Sequence, residues 1–465
     1  LVVKSLGCLF LKDRVFFKAH SRKFAVIAFK NLKINMLRLL FAFLLLLPYP
    51  IFAQRLKCDV SASSAILINA ETGAVLFEKN AHHPCFPAST TKVATALYTL
   101  HKIGSSLDHK VTASSEAVAC VGPQQRRAKH PSYRLEFGGT HMGIKVGEEL
   151  SVRDLLHGLM LISANDAANV LAEHVSGSVP KFIEELNQFL RENGCQRTNF
   201  YNPHGLPSQD HKTTAHDLAI MAKLAMAHPE FREIVKTIRY SKPASNKQAE
   251  TVFLQSNALL KPGPHYYPKA IGVKTGYTLS AGQNLVAAAK DGGRFLIVVL
   301  LGCKDFHERY KDAIKLFETA FNEKRVNRTV FAKGGDLFSI KIPGAKQPLQ
   351  GSLIEDCVID YFPSEEPAFK ALLHWRDLKL PIEKGDPVGE IQLVSLDGGK
   401  VIKSATLHAT ETLVKTGYYQ FLEILQKIKQ ILTHKVSLLF FTIATFASLI
   451  FFFTRKRVEK REELL

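Results

Sequence analysis

The stretch Pro87-Ala88-Ser89-Thr90-Thr91-Lys92, running into Val93-Ala94-Thr95-Ala96-Leu97-Tyr98-Thr99-Leu100, decides the reading of this chain. A proline followed by Ser and Thr residues marks a helix start, because their hydroxyls satisfy free backbone N–H groups. Ser89 stands three residues before Lys92. On a helix that spacing puts the amine about one turn away on the same face, within reach of the hydroxyl. The pair reads as a nucleophile with its base, and the N–H groups of the first turn point at any anion formed there. Ser178-Val179-Pro180-Lys181 has the same spacing, with a proline that argues for a loop or a helix start. The Ser89 motif therefore needs partners elsewhere in the chain.

The 465 residues exceed one ordinary core and allow two domains with appendages. The formal charge of +19 looks like a nucleic-acid signature until it is divided. Residues 1–54 hold nine Lys/Arg against one Asp, and residues 454–465 hold five against three Glu. The body that remains is moderately basic, which suits an anionic substrate or an anionic membrane surface. It carries no basic helix, aromatic stacking motif or zinc-knuckle spacing, so no nucleic-acid partner is expected. The seven cysteines show no Cys-x-x-Cys spacing, so no metal or redox site is expected, and the sequence leaves any disulfide pairing open. Cys85, four residues before Ser89, reads as a packing or disulfide residue rather than a nucleophile.

Residues 1–35 read as a non-native upstream extension ahead of Met36. Residues 36–53 have the basic start, apolar run and small residue of a signal peptide, with an uncleaved anchor as the alternative; either exports the body. From Ala65 two strands flank a tight turn at Glu71-Thr72-Gly73. Ser151 with Asp154 forms a capping box for a helix that leads to Leu161-Ile162-Ser163-Ala164-Asn165-Asp166. In that polar break Ser163 and Asn165 flank a small residue and can project to one side; taken alone, the pair reads rather as a capped helix junction without chemistry. His216, in the capped start at Thr213-Thr214, reads as a structural or surface histidine. Ile271-Gly272-Val273-Lys274-Thr275-Gly276-Tyr277-Thr278 then places a lysine on a strand, a residue able to bond a carboxylate, and a glycine that lets a ligand approach the backbone. A second strand follows at Phe295 to Leu301. Lys415-Thr416-Gly417 repeats the tripeptide beyond the catalytic region and reads as chance.

Ser89-x-x-Lys92, Ser163-x-Asn165 and Lys274-Thr275-Gly276, in that order, resemble the serine penicillin-recognising acyltransferases. Asn165-Asp166-Ala167, Asn202-Pro203-His204-Gly205-Leu206-Pro207, Gly272 to Thr278 and Asn284-Leu285-Val286-Ala287 match the low-molecular-mass D-alanyl-D-alanine carboxypeptidases within it. The resemblance covers roughly Ala65 to Phe321. It implies an α/β (α+β) transpeptidase-like catalytic domain, at 60–321, that needs no cofactor. By the same resemblance Ser89 attacks between the two terminal D-alanines of a peptidoglycan stem pentapeptide, with Lys92 as its base. Ser163 relays a proton, Asn165 holds the substrate backbone, and Lys274, Thr275 and Gly276 bind the terminal carboxylate. The backbone N–H groups of Ser89 and Tyr277 form the oxyanion hole, and β-lactam antibiotics acylate Ser89. Ala164 departs from the glycine often found there, which implies a tuned rate. Cross-link cleavage as an endopeptidase uses the same residues, and a weakly catalytic binding protein would keep the same cleft. A class A β-lactamase needs a Glu followed by Leu-Asn downstream, and Glu192-Asn193-Gly194-Cys195 lacks that pair.

After Phe321 short β-type runs at Thr329–Phe331, 337–342, 357–362, 386–394 and 401–407 predict a small all-β sandwich domain over 325–410. Residues 411–435 read as an amphipathic linker helix and 436–453, without a charge, as a transmembrane helix. The basic tail 454–465 then faces the cytoplasm, with the catalytic domain outside the inner membrane.

Overall fold

Leu296 to Leu301 are six consecutive apolar residues, all fully buried, which requires a strand covered on both faces. The computed structural model describes residues 15–17, 54–122, 130–396 and 398–462 and divides into two units. In the first unit, which takes in Gln54 to Val326 and Tyr361 to Glu366, five antiparallel strands form the central sheet. They are β1 (Ser64–Asn69), β2 (Val75–Lys79), β3 (Ala270–Thr278), β4 (Gly282–Asp291) and β5 (Arg294–Cys303), in the order β3-β4-β5-β1-β2. The two-residue period splits the apolar side chains cleanly. Ile66, Ile68, Val286, Ile297 and Val299 enter one core with most of the helices. Leu67, Leu285, Leu296, Val298 and Leu300 enter a second with Leu316 and Phe317 of the helix Glu308–Phe321. Each such side chain contributes about 2 kcal/mol by leaving water.

The helices that matter for the site pack in the first core. They are α1 (Lys92–Ile103), entered through a single 3-10 turn at Ala88–Thr91, α2 (Val152–Leu161), α3 (Asn165–Ser176) and α4 (Val179–Glu192). Ser151 and Asp154 form the expected reciprocal capping box on α2. Ser178 caps α4 through the Lys181 amide, so the second Ser-x-x-Lys is a helix start. The six described cysteines carry no disulfide.

The second unit holds an antiparallel sheet in which Phe369–Trp375, Pro387–Ser395, Val401–Ala409, Leu349–Leu353 and Phe338–Ile340 are neighbours in that order, with Val15–Phe17 pairing on the outer edge of Phe369–Trp375. Val326–Phe331 and Cys357–Tyr361 form a separate pair. The signal-peptide expectation, and all of 1–35 except Val15–Phe17, lie outside the described residues.

Two boundaries differ from the sequence reading. No break separates a linker helix from a span, because one helix runs over Gly417–Glu462. It cannot start at 411: Leu413 pairs with Ile382, Lys415 pairs with Ala345, and Glu411 accepts from Gln347 at 2.7 Å. Gly417–Phe451 is long and apolar enough to cross a membrane.

The second difference is at Tyr361–Glu366, expected in the β-domain, which belongs to the first unit. The buried Arg294 guanidinium explains this. It pairs with Glu365, reaches Glu323 at 3.3 Å, donates to the Ala320 carbonyl, and lies 3.8 Å from the Phe362 ring centroid. Glu365 also accepts from Asn69 at 2.8 Å, while Ser364 donates from its amide and hydroxyl to Glu323 at 2.8 and 2.6 Å. Breaking a buried pair by removing one partner leaves an uncompensated charge at a cost of about 3–5 kcal/mol. Glu365→Ala is therefore expected to move the first unit's unfolding transition to markedly lower urea; equal midpoints for Glu365→Ala and the parent would show the cluster to be marginal.

Candidate active site

Lys92 is a fully buried lysine in the first turn of α1. Its amine lies 3.1 Å from Ser89 Oγ and donates to Asn165 Oδ1 at 2.7 Å and to the His204 carbonyl at 2.6 Å. Burial first, then the nearby Lys274 charge, push the amine well below the ordinary lysine value, against a smaller pull from Asp166. A neutral amine has two N–H bonds and one lone pair in tetrahedral array. The two shorter contacts use the N–H bonds, so the lone pair is left facing Ser89 Oγ, the arrangement a general base needs.

Each partner is delivered by separate local chemistry. Asn165 opens α3, two residues after Ser163, whose φ of 66° turns the chain out of α2. The Asn165 amide donates to Thr140 O at 2.8 Å, and the next carboxylate, Asp166, accepts from the amides of Met142, Gly143 and Ile144 at 3.0, 2.9 and 3.0 Å. His204 sits in a loop closed by Asn202, whose side chain accepts from Gly205 N at 2.7 Å and donates to Leu206 O at 2.9 Å. Thr95, one turn after Lys92, donates to Pro203 O at 2.6 Å, so two carbonyls of this loop rest on one face of α1. The His204 ring accepts from Leu206 N at 3.2 Å through Nδ1, which leaves Nε2 to donate to Tyr133 O at 3.1 Å. Burial and the Lys92 charge hold its pKa well below the usual histidine value.

The backbone around Ser89 is gripped from three sides. Ala88 has a φ of 50°, and Gly205, at φ +93°, passes so close that a Cβ there would lie 1.9 Å from the Ala88 carbonyl oxygen. A Cβ on Gly276 would lie 3.0 Å from Pro87 O and 3.1 Å from Ser89 N. Asn284, paired with Gly276 across the β3–β4 hairpin, donates to the carbonyls of Phe86 and Pro87 at 2.9 and 3.0 Å and accepts from Gly302 N at 2.8 Å. Buried His211 lies 2.9 Å from Thr91 Oγ1 through Nε2 and accepts from Tyr201 N at 3.1 Å through Nδ1, and Thr91 in turn donates to Ala88 O at 3.0 Å. Desolvation and Lys92 bring the His211 pKa down to about 3, so the ring is neutral.

Lys274 is buried on β3 and donates to Thr275 O at 2.8 Å. Burial and the Arg309 charge lower its pKa to about 7. Arg309 reaches the carbonyls of Gly276 and Asn284 at 3.5 and 3.4 Å. Thr275 is half-buried and Tyr277 exposed on the same strand.

Of the residues singled out in the sequence, Ser89, Lys92 and Asn165 form one hydrogen-bonded cluster, Gly276 packs on the nucleophile's own amide, and Lys274 acts on Lys92 through its charge. Ser163 stands half-buried at the turn ahead of Asn165. His204 and Asn284 lay within quoted stretches without a role, while Asp166 and His211 gave no chemical signal of their own. His216 is structural, as expected: its amide donates to Ala81 O at 2.9 Å and its ring lies against His82.

Residues 52–305 match the Peptidase S11 family, D-alanyl-D-alanine carboxypeptidase. This chain belongs to that family. It is 31% identical to D-alanyl-D-alanine carboxypeptidase DacF of Bacillus subtilis over 78% of this chain and 88% of that protein. It is 30% identical to DacC of Escherichia coli over 81% and 91% of the two chains. Among solved structures it is similar to penicillin binding protein 5 from Haemophilus influenzae, with a TM-score of 0.52 and 25% identity over 77% of this chain and 99% of that one.

The grip on Ser89 is testable in this carboxypeptidase-family chain. Gly205→Ala combines a positive φ with a Cβ inside the Ala88 carbonyl, so the nucleophile turn must shift. Covalent labelling by a fluorescent penicillin is expected to fall by at least about a hundredfold, which corresponds to about 3 kcal/mol of lost transition-state stabilisation. Parent-like labelling would mean the turn relaxes freely.

Proposed function

We propose that the chain is a serine-type D-Ala-D-Ala carboxypeptidase that acts through a Ser89 acyl-enzyme. The observation that carries this reading is the buried Lys92 amine, with two N–H bonds engaged and its lone pair toward Ser89. Ser89 Oγ attacks the carbonyl of the peptide bond between the terminal D-alanines while Lys92 takes its proton. The N–H groups of Ser89 and Tyr277 receive the oxyanion, each such donor being worth about 3 kcal/mol. The C–N bond then breaks, and the departing D-alanine amine collects a proton through Ser163. Water adds to the ester, the acid is released and Ser89 regains its proton. Asn165 orients the peptide backbone, and Lys274 with Thr275 and Gly276 holds the terminal carboxylate. β-Lactams, which carry a carboxylate beside a strained amide, acylate the same serine.

The β-rich unit serves as a sandwich-type spacer in this reading. Gly417–Phe451 anchors the enzyme in the inner membrane, with Arg455 on the cytoplasmic side and the catalytic unit outside. Residues 36–53 would direct export.

The first test is D-alanine release from a pentapeptide ending in D-Ala-D-Ala, comparing the parent with Ser89→Ala. Release by the parent alone is expected; an unchanged Ser89→Ala rate would remove the serine from the mechanism. A pH series tests the carboxylate site. Lys274, with a pKa of about 7, is cationic below that pH and loses its charge above it. The KM for the anionic peptide is therefore expected to rise as pH increases through about 7, up to tenfold per unit beyond it. Lys274→Arg, whose guanidinium stays charged, should flatten this rise, and a KM independent of pH in the parent would assign the carboxylate to another group.

A further inference from the structure

His265, just ahead of β3, and His307, in the loop between β5 and the helix Glu308–Phe321, meet at a groove of about 650 Å³. Its lining holds none of the residues of the site around Ser89. Nε2 of His265 lies 2.8 Å from Nδ1 of His307, so each imidazole spends one nitrogen on the other. His265 is only 7% exposed, with its ring stacked on Tyr310 at a centroid distance of 5.0 Å. Its second nitrogen has no hydrogen-bond partner among the described residues, and neither has Nε2 of His307. Neither atom is sealed in. Among the described residues the enclosed, unpartnered side-chain atoms belong to Thr99, His141, Asn169, Asn257 and Arg309, and His307 is exposed. Since both rings line the groove, the pair's two free nitrogens open on it.

The surrounding charges favour an anion. Lys311 and Lys315 line the same groove. Asp305, the one acid on that lining, is spent on the helix start, where Oδ1 accepts from His307 N at 2.6 Å and from Glu308 N at 3.2 Å. Lys315 donates to the Asp59 carbonyl at 2.7 Å, whereas Lys311 makes an exposed pair with Glu308 at 3.1 Å that costs little to exchange for a ligand. Burial, then the His307, Lys311 and Arg309 charges, hold the His265 pKa below the usual histidine value against a smaller pull from Asp305, so that ring is neutral at neutral pH.

Two neutral imidazoles joined by one hydrogen bond turn one N–H and one lone pair outward, whichever ring donates. A ligand that satisfies both must accept and donate. Phosphate does so, because at neutral pH it combines acceptor oxygens with a P–OH, whereas a carboxylate or sulfate only accepts and leaves the lone pair unmet. We propose that this groove binds a phosphate group, which accepts from the outward N–H and from Lys311 and donates its P–OH to the outward lone pair. The free inorganic ion and a phosphate monoester both offer that chemistry. The site stands apart from the carboxypeptidase reading and does not depend on it.

The test is calorimetric titration of the full-length chain with inorganic phosphate and, separately, with sulfate, at neutral pH and constant ionic strength. Phosphate is expected to bind saturably and about tenfold more tightly than sulfate, the effect of one hydrogen bond. His307→Phe keeps a ring and removes its nitrogens, and Lys311→Ala removes the exchangeable cation. Each is expected to weaken phosphate binding about tenfold with an unchanged unfolding temperature, because both side chains are exposed. Lys304→Ala removes an exposed charge outside the groove and should change the affinity less than about twofold. sn-Glycerol 3-phosphate identifies the source: displacement of inorganic phosphate at lower concentration assigns the monoester, and weaker or absent displacement assigns the free ion. Lack of saturable phosphate binding, or equal affinities for phosphate and sulfate, overturns the proposal. Parent affinity in His307→Phe overturns it as well, since surface charge would then be the whole attraction.

Discussion

The rest of the site depends on keeping one amine dry. Desolvation favours the uncharged form of an interior lysine, and this one is further discouraged from charging by a second lysine. Burial is tolerable only because the amine's polar bonds are all used, and the partners come from three places: the turn before α1, the start of α3 and the loop closed by Asn202. Lys92 is thus also the knot that ties these elements together. Removing any one acceptor would leave an N–H bond unpaired or admit water, and water would return Lys92 toward an ordinary lysine.

A second constraint follows from the nucleophile's position at a helix mouth. In the proposed mode the Ser89 amide is kept for the substrate, while Thr90 N bonds Pro87 O at 3.3 Å. The turn is held through its carbonyls and from behind: Asn284 takes Phe86 O and Pro87 O, Thr91 takes Ala88 O, and His211 backs Thr91. Backbone from Gly205 and Gly276 fills the space that side chains would otherwise take. Left-handed φ values at Ala88 and Ser163 fit the same pattern, strain kept at the site by surroundings that leave no alternative.

The catalytic framework was legible because it is local or periodic. Ser89 and Lys92 are one helical turn apart, Ser151 caps its own helix, and the sheet's consecutive apolar residues need no partner to be recognised as a doubly covered strand. What escaped is non-local. Arg294 and Glu365 lie 71 residues apart, and the Ser-Glu-Glu turn after Pro363 gives no sign that Ser364 and Glu365 return to the catalytic unit. The strands Leu349–Leu353 and Phe369–Trp375 went unread because their apolar positions alternate with Gly, Ser, Lys and His. His211 and Asn284 look in sequence like a turn histidine and a strand polar residue. Their roles exist only once α1 and the β3–β4 hairpin are brought together. Glu411–Thr416 is grouped by sequence with the helix that follows, yet Thr412, Val414 and Thr416 are β-branched, and the segment pairs with Ile382 and Ala345.

Two buried lysines near one serine appear redundant until their surroundings are compared. Lys92 is ringed by acceptors that need only two N–H bonds, whereas Lys274 sits on a strand beside an arginine with its titration near neutrality. In the proposed mode these environments are coupled. The Lys274 charge is the second cause that lowers the Lys92 pKa, so a carboxylate arriving at Lys274 cancels part of that field and makes Lys92 a stronger base. The terminal carboxylate of the correct substrate therefore does more than dock. It raises the proton affinity of the base at the moment Ser89 must be deprotonated, whereas an uncharged peptide end would leave Lys92 with a weaker hold on the serine proton.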